Sequence, residues 1–346
     1  MKKNKKILTI RFSAMGDVAM AVPVVKAVVE QNENVEILFV SRPFFSAFFK
    51  NIPNVNFIGK DVKKQYKGLK GLYLLFKELK RENPDYIADL HDVIRSKVLR
   101  LFFKISGFKV GSINKGRREK KALTRRENKI FKPLKSTHER YADVFRNLGL
   151  KVDLTKVKPL PKPGLSTQIK LFLDTFGDNY LIGIAPFAAH EGKQYPLEKI
   201  EKVINNLLEK NKNLSIVLFG GGTKEKQLLN GLEKINRNRI VNVAGTFSLE
   251  EELQIISRLN KMLSMDSGNG HIATLYGIPV VSVWGATHPF AGFMPFLQPE
   301  TNQVLPDLNK FPQLPTSIYG NKTFEGFQQV WESISVDEIV EKLLQN

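Results

Sequence analysis

The sequence predicts an α/β chain made of two similar halves, each a parallel sheet flanked by helices. Three observations point there. Short runs rich in Val, Ile and Leu alternate with stretches of helical spacing, the pattern of strand–helix–strand units with right-handed crossovers. Pro159, Pro161 and Pro163 with Gly164 form a linker that divides this alternation into two series. The length of 346 residues suits about two domains of roughly 150 residues each. The expected domains are 1–160 and 165–325, with an amphipathic tail at 326–346 that returns to pack on the first domain.

In the first half, 6–12 is a short apolar strand. Its lysine-rich approach has the look of a signal peptide, but Arg11 cuts the apolar run too early. Ser13-Ala14-Met15-Gly16-Asp17 then turns the chain into a helix from about Val18 to Gln31, so Asp17 arrives at the helix start. Strand 35–41, a short helix at 44–50 and strand 55–58 follow. The stretch 69–82 is helical, with Leu72, Leu75, Phe76 and Leu79 on one face. Strand 86–90 leaves His91 and Asp92 at its carboxyl end, where open α/β sheets hold ligands. A basic amphipathic helix at 95–103, a strand at 109–111 and a helix at 138–148 close the half.

The second half repeats the alternation: strand 181–185, helix 197–210, strand 215–219, helix 224–234, strand 240–242 and helix 249–259. The stretch from Leu263 then reads as a strand, a tight polar loop, a helix and another buried strand. Asp266, Ser267, Gly268 and Gly270 sit in that loop. Small and glycine residues let backbone N–H groups and the positive helix end face one point, an anion site. Asp266 or Ser267 serves equally well as a plain helix cap; His271 and the Gly-x-Gly favour the anion.

With 42% hydrophobic and 25% charged residues the composition is that of a soluble globular protein. The absence of cysteine excludes disulfides, thiol catalysis and Cys-based zinc sites, and fits a reducing cytoplasm. No run approaches the roughly 18 apolar residues of a membrane-spanning helix. The net charge of +19 calls for an anionic partner: nucleic acid, an acidic membrane face or a phosphorylated substrate. From Lys109 to Arg140 there are twelve Lys/Arg against three Asp/Glu, either a solvated basic loop or a binding face. Neither a dinucleotide fingerprint after the first strand nor a P-loop is present, and no metal-ligand spacing or nucleophile elbow appears.

Four pieces in order, Arg11 to Asp17, Pro186 to Pro196, Phe219 to Glu225 and Asp266 to Ala273, resemble the ADP-heptose:lipopolysaccharide heptosyltransferases, glycosyltransferase family nine. The resemblance implies the GT-B fold, two Rossmann-like domains facing across a cleft. It implies a metal-independent, inverting transfer of heptose, from a nucleotide-sugar donor expected to be ADP-heptose, to a lipopolysaccharide-core acceptor. Asp17 matches the base that takes the acceptor proton, and Lys193 the lysine that meets the leaving diphosphate. Glu225 is expected on the ribose, Gly245, Thr246 and Leu249 around the base, and Asp266, Ser267, Gly268 and His271 on the diphosphate and sugar. Arg11, Lys115, Arg117, Arg118, Lys120 and Lys121 are expected on the side of the phosphorylated glycolipid acceptor and the anionic membrane surface. No cofactor and no metal are expected. The protein is expected to be a monomer, cytoplasmic and peripheral to the inner face of the cytoplasmic membrane; nucleic acid is disfavoured. Ala188-Ala189 replace hydroxyl residues of the pattern, and Asn269-Gly270 a bulkier pair, which would enlarge the sugar pocket. An epimerase or hydrolase acting on a sugar nucleotide, and a non-catalytic anion-binding protein, are the alternative readings.

Overall fold

A computed structural model describes residues 5–345. The chain forms two compact units: Met1–Gly116 with Lys135–Pro159, and Arg117–Leu134 with Leu160–Asn346.

The first unit holds β1 (Lys5–Ile10), α1 (Met15–Gln31), β2 (Val35–Ser41), β3 (Val55–Gly59), α2 (Gly68–Arg81), β4 (Tyr86–Asp89), α3 (Ile94–Ile105) and β5 (Lys109–Ser112). Beyond α4 (Arg117–Thr124), which belongs to the other unit, α5 (Thr137–Asn147) completes it. The sheet order is β3-β2-β1-β4-β5, every pairing parallel. Ile7, Leu8, Ile10, Ile37 and Ile87 are fully or almost fully buried, because helices cover both faces of a parallel sheet and leave no polar side to its strands. Helix α1 starts at Met15 rather than near Val18 and is buried continuously from Val18 to Val29. It is therefore apolar nearly all round.

The second unit contains α6 (Thr167–Asp174), β6 (Tyr180–Ala185), α7 (Leu197–Lys210), β7 (Leu214–Leu218), α8 (Gly222–Glu233), β8 (Ile240–Asn242), α9 (Leu249–Ile256), β9 (Lys261–Met265), α10 (Gly268–Thr274), β10 (Val280–Val283), β11 (Gln303–Val304), α11 (Gln328–Glu332) and α12 (Val336–Leu344). Its sheet runs β11-β10-β9-β6-β7-β8, again parallel throughout. The expected pair of parallel α/β halves is therefore present.

Two placements differ from expectation. Helix α12 packs on α7 and against β9 and β10 in the second unit, not on the first domain. Its apolar stripe, Ile339, Val340 and Leu343, is buried in the second core, and Lys261 Nζ donates to the carbonyls of Lys342 and Gln345 at the helix end. The basic stretch after Gly116 is not a loop of the first half. Leu134 N donates to Phe290 O at 2.9 Å, Phe131 packs on His288 and Phe290, and Lys129 Nζ donates to Gln313 O and Pro315 O. Apolar side chains among the bases anchor the segment to the second unit.

Candidate functional site

Each sheet reverses its winding once. In the first unit the chain proceeds outward from β1 to β2 and β3, then returns to lay β4 on the other side of β1. In the second, β6, β7 and β8 run one way, and β9 and β10 the other. Neighbouring loops at such a reversal part from each other and open a crevice at the carboxyl ends of the strands.

At the β6/β9 reversal, Lys193 Nζ stands 2.9 Å from Asp266 Oδ2. The contact is an ion pair outside hydrogen-bonding geometry, since that oxygen accepts no hydrogen bond among the described residues. Both side chains are largely buried, so the pair has given up most of its hydration and each charge depends on the other. Lys193 ends a short turn, Glu191–Lys193, held from two sides. Gly192 O accepts from Ala286 N at 2.7 Å, and the stem of Lys193 lies on Gly320, where an added Cβ would stand 2.2 Å from Lys193 Cγ. Gly320 has φ +80°, a second reason for glycine there. Its turn is tied by Ser317 Oγ, which accepts from the N–H groups of Tyr319 and Gly320.

Ser267 precedes α10 without a side-chain capping bond; its Oγ lies 3.1 Å from Ser264 Oγ instead. The plain-cap reading of Ser267 is therefore not what the loop does. Gly270 N donates to Ser264 Oγ at 3.1 Å, and a Cβ on Gly270 would touch Ser264 and Val280. Gly270 thus lets α10 close on the sheet; its missing side chain does not widen a pocket. Gly268 opens α10, and His271 is buried within it.

The other expected donor residues follow neighbouring strands of the same parallel sheet, so their loops share its carboxyl edge. Glu225, in the first turn of α8, accepts from Gly221 N at 2.7 Å, which ties the glycine run to the helix start. Gly245 (φ +66°) and Thr246 form an exposed turn after β8. Leu249 is buried in the first turn of α9.

At the β1/β4 reversal, Arg11 is buried, not a surface cation. Its Nη2 lies 2.5 Å from Asp17 Oδ2, its Nη1 donates to Leu90 O at 2.8 Å, and its guanidinium faces the Tyr141 ring. Burial opposes the Arg11 charge, but Tyr141 and Asp17 together hold its pKa above the ordinary value. Asp17 also accepts from Ala14 N at 3.1 Å, the return half of a capping contact. Asp89, fully buried, accepts from the N–H groups of His91 and Asp92, a side-chain turn that stabilises Asp92 at φ +45°. Burial, then the charges of Arg11 and Lys115, push the His91 pKa down to about 3, so its imidazole is neutral at physiological pH.

Of the expected acceptor-side cations, Lys115 belongs to the first unit and donates to Asp92 O at 3.3 Å. Arg117, Arg118, Lys120 and Lys121 lie on α4 in the second unit, where Lys120 Nζ sits 4.1 Å from the centre of the Phe293 ring. Sequence reasoning did not single out Thr287 and His288. Both follow β10 at the same edge and are buried, and Thr287 Oγ1 and His288 Nε2 lack a hydrogen-bond partner among the described residues. Burial and then Lys129 lower the His288 pKa to about 4. Thr287 ends the stretch that trails the Asp266–Ala273 motif but was given no role there, and His288 had only a positional signal, a polar residue at a strand's carboxyl end.

Glycosyltransferase family 9 (heptosyltransferase) matches the chain over residues 72–320. The lipopolysaccharide core heptosyltransferase OpsX of Haemophilus influenzae is 28% identical over 291 residues, 82% of this chain and 80% of that protein. Two solved structures share the fold. The glycosyl transferase family 9 protein of Veillonella parvula has a TM-score of 0.72 at 17% identity, covering 100% of this chain and 99% of that one. The E. coli ADP-heptose LPS heptosyltransferase II has a TM-score of 0.67 at 19% identity, covering 98% and 97%.

Proposed function

The chain belongs to glycosyltransferase family 9 and is a glycosyltransferase, and from that premise we propose that it moves a heptose from ADP-heptose to a lipopolysaccharide-core acceptor. The transfer inverts the anomeric centre and uses no metal ion. The observation that carries this reading is the Lys193–Asp266 pair at the β6/β9 reversal, a buried ammonium held at the edge where open α/β sheets take phosphates. The printed names of the relatives, a lipopolysaccharide core enzyme and an ADP-heptose enzyme, agree with it.

In the reaction the acceptor hydroxyl oxygen bonds to the anomeric carbon as the bond from that carbon to the diphosphate breaks. The hydroxyl proton goes to Asp17, and the diphosphate leaves with the electron pair. Arg11 holds one oxygen of Asp17 in place. Lys193 and the backbone N–H groups of the 267–270 loop meet the charge that grows on the leaving diphosphate, and preorganised donors do most where charge develops. Glu225 accepts from the ribose hydroxyls, with Gly245 and Thr246 beside the base, while Asp266 orients Lys193. The acceptor is a phosphorylated glycolipid at the inner face of the cytoplasmic membrane, reached by a peripheral protein; among the described residues no helix is long and apolar enough to cross a bilayer.

The test is melting-temperature screening of the protein with ADP, UDP and GDP, followed by an ADP-release assay. A ligand at 100 times its Kd stabilises the fold by about 2.7 kcal/mol. ADP is expected to raise the melting temperature and the other two are not. Donor turnover that runs equally fast without acceptor, seen as ADP release for a hydrolase or as an isomeric nucleotide-sugar for an epimerase, overturns the reading.

A further inference from the structure

Helix α3 carries two apolar stripes. Leu99 and Phe103 enter the first unit's core. Ile94, Leu101 and Ile105 face outward, 81%, 51% and 76% exposed, with Val98 half-buried between them. Residues 94, 98, 101 and 105 recur at steps of four and three, which places them on one helical face. Val98 also packs against that core, which leaves Ile94, Leu101 and Ile105 as the outward part of the stripe. Helix α2 repeats the arrangement: Leu72, Leu75, Phe76 and Leu79 are buried, while Leu69 and Tyr73 are 69% and 46% exposed. Between the helices the half-buried Phe102 of α3 lies 5.6 Å from the exposed Tyr73 ring of α2, which brings the two outer faces side by side.

The charge around this face is mostly basic, and Glu78 of α2 is paired with Lys60. No acidic residue occurs in α3. Arg100 and Lys97 pair with Asp89 and Asp92, whereas Arg95 and Lys104 are exposed at the two ends of the stripe. On α2, Lys77 and Lys80 sit over the Tyr73 and Phe76 rings. A contiguous apolar surface rimmed by bases marks an interaction site. Exposed aliphatics with flanking Lys and Arg suit the boundary between acyl chains and anionic headgroups.

We propose that the joint outer face of α2 and α3, rather than the basic helix α4, is the surface by which this protein docks on an anionic lipid bilayer. Ile94, Leu101, Ile105, Leu69 and Tyr73 enter the headgroup region, and the flanking cations meet lipid phosphates. Helix α3 begins two residues after Asp92, so a bilayer on this face lies beside the carboxyl edge of β4. The proposal deepens the glycolipid-acceptor reading, but docking is measured without either substrate.

The experiment is co-sedimentation of the full-length protein with vesicles of phosphatidylcholine alone and of phosphatidylcholine with phosphatidylglycerol. Expected is binding to the anionic vesicles that weakens with salt. The triple variant Ile94→Ser, Leu101→Ser, Ile105→Ser, with an unchanged melting temperature, is expected to lose at least about tenfold in affinity. A charge-reversed Arg117→Glu, Arg118→Glu, Lys121→Glu protein is expected to bind as the parent does. Because exposed residues can still perturb a helix, Lys77→Glu with Lys104→Glu provides a second probe that leaves the stripe intact and is expected to lose binding to anionic vesicles selectively. Loss with the α4 variant instead, equal binding to both vesicles, or a triple variant that only turns a dimer into a monomer in light scattering each overturn the proposal. Transfer to a soluble acceptor is expected to be untouched by the triple variant, so a failure of the glycosyl-transfer reading shows in that assay and not in the vesicles.

Discussion

In the proposed transfer Lys193 and Asp17 do different work at the scale of single residues, and substitutions separate them. Asp17→Asn keeps a hydrogen-bonding group against Arg11 but no base, so transfer is expected to fall about 10²- to 10⁴-fold with ADP affinity unchanged; turnover near the parent rate removes Asp17 from that role. Lys193→Met is expected to weaken ADP binding and also to cost about 3–5 kcal/mol in urea unfolding, because it strands a buried carboxylate. Adding Asp266→Asn is expected to restore much of the stability and none of the affinity, which distinguishes ligand contact from folding. Two of the buried histidines, His91 and His288, set an acid limit. Their native pKa values of about 3 and about 4 lie below the unfolded value of about 6.5. The unfolded chain therefore binds more protons in that window, and stability is expected to fall as pH drops from about 6.5 toward those values, by up to about 1.4 kcal/mol per pH unit per site. His91→Gln is expected to flatten the urea midpoint against pH. Asp17, Lys193 and Asp266 were legible because motifs carry them. The Lys193–Asp266 contact joins residues 73 positions apart, and the seat on Gly320 lies further along still; no local pattern encodes either.

The strands were the most legible elements, since a parallel sheet buried on both faces demands continuous apolar runs, and the second-unit strands lie within a residue or two of their expected bounds. Short or context-dependent elements escaped: β11 is two residues long, and α11 follows a stretch without periodicity. The destination of α12 was misjudged for a physical reason. An amphipathic stripe states that it will be buried, but not against what. Its end is fastened by Lys261, a buried lysine whose pKa burial lowers and whose ammonium serves the last carbonyls of the helix. Lys261→Met keeps the stem and removes the donors. It is expected to raise amide exchange across Val336–Leu344 while the exchange of β1 to β5 stays as it is.

For the whole molecule, composition pointed to an anionic partner and could not say where it would bind. The charge density after Lys109 drew attention to one segment, which Phe131, Leu134 and Lys129 tie to the second unit, while sparser bases rim an apolar face on α2 and α3. The backbone passes from one unit to the other at Pro159, where the proline linker begins, but not there alone. It does so after Gly116 and after Leu134 as well. The gene for such a protein has no cut that yields the first unit as an uninterrupted piece: a product ending at Pro159 would carry Leu123, Phe131 and Leu134 with nothing to cover them. Exchange of the first unit between relatives must here transplant two separated stretches of sequence together.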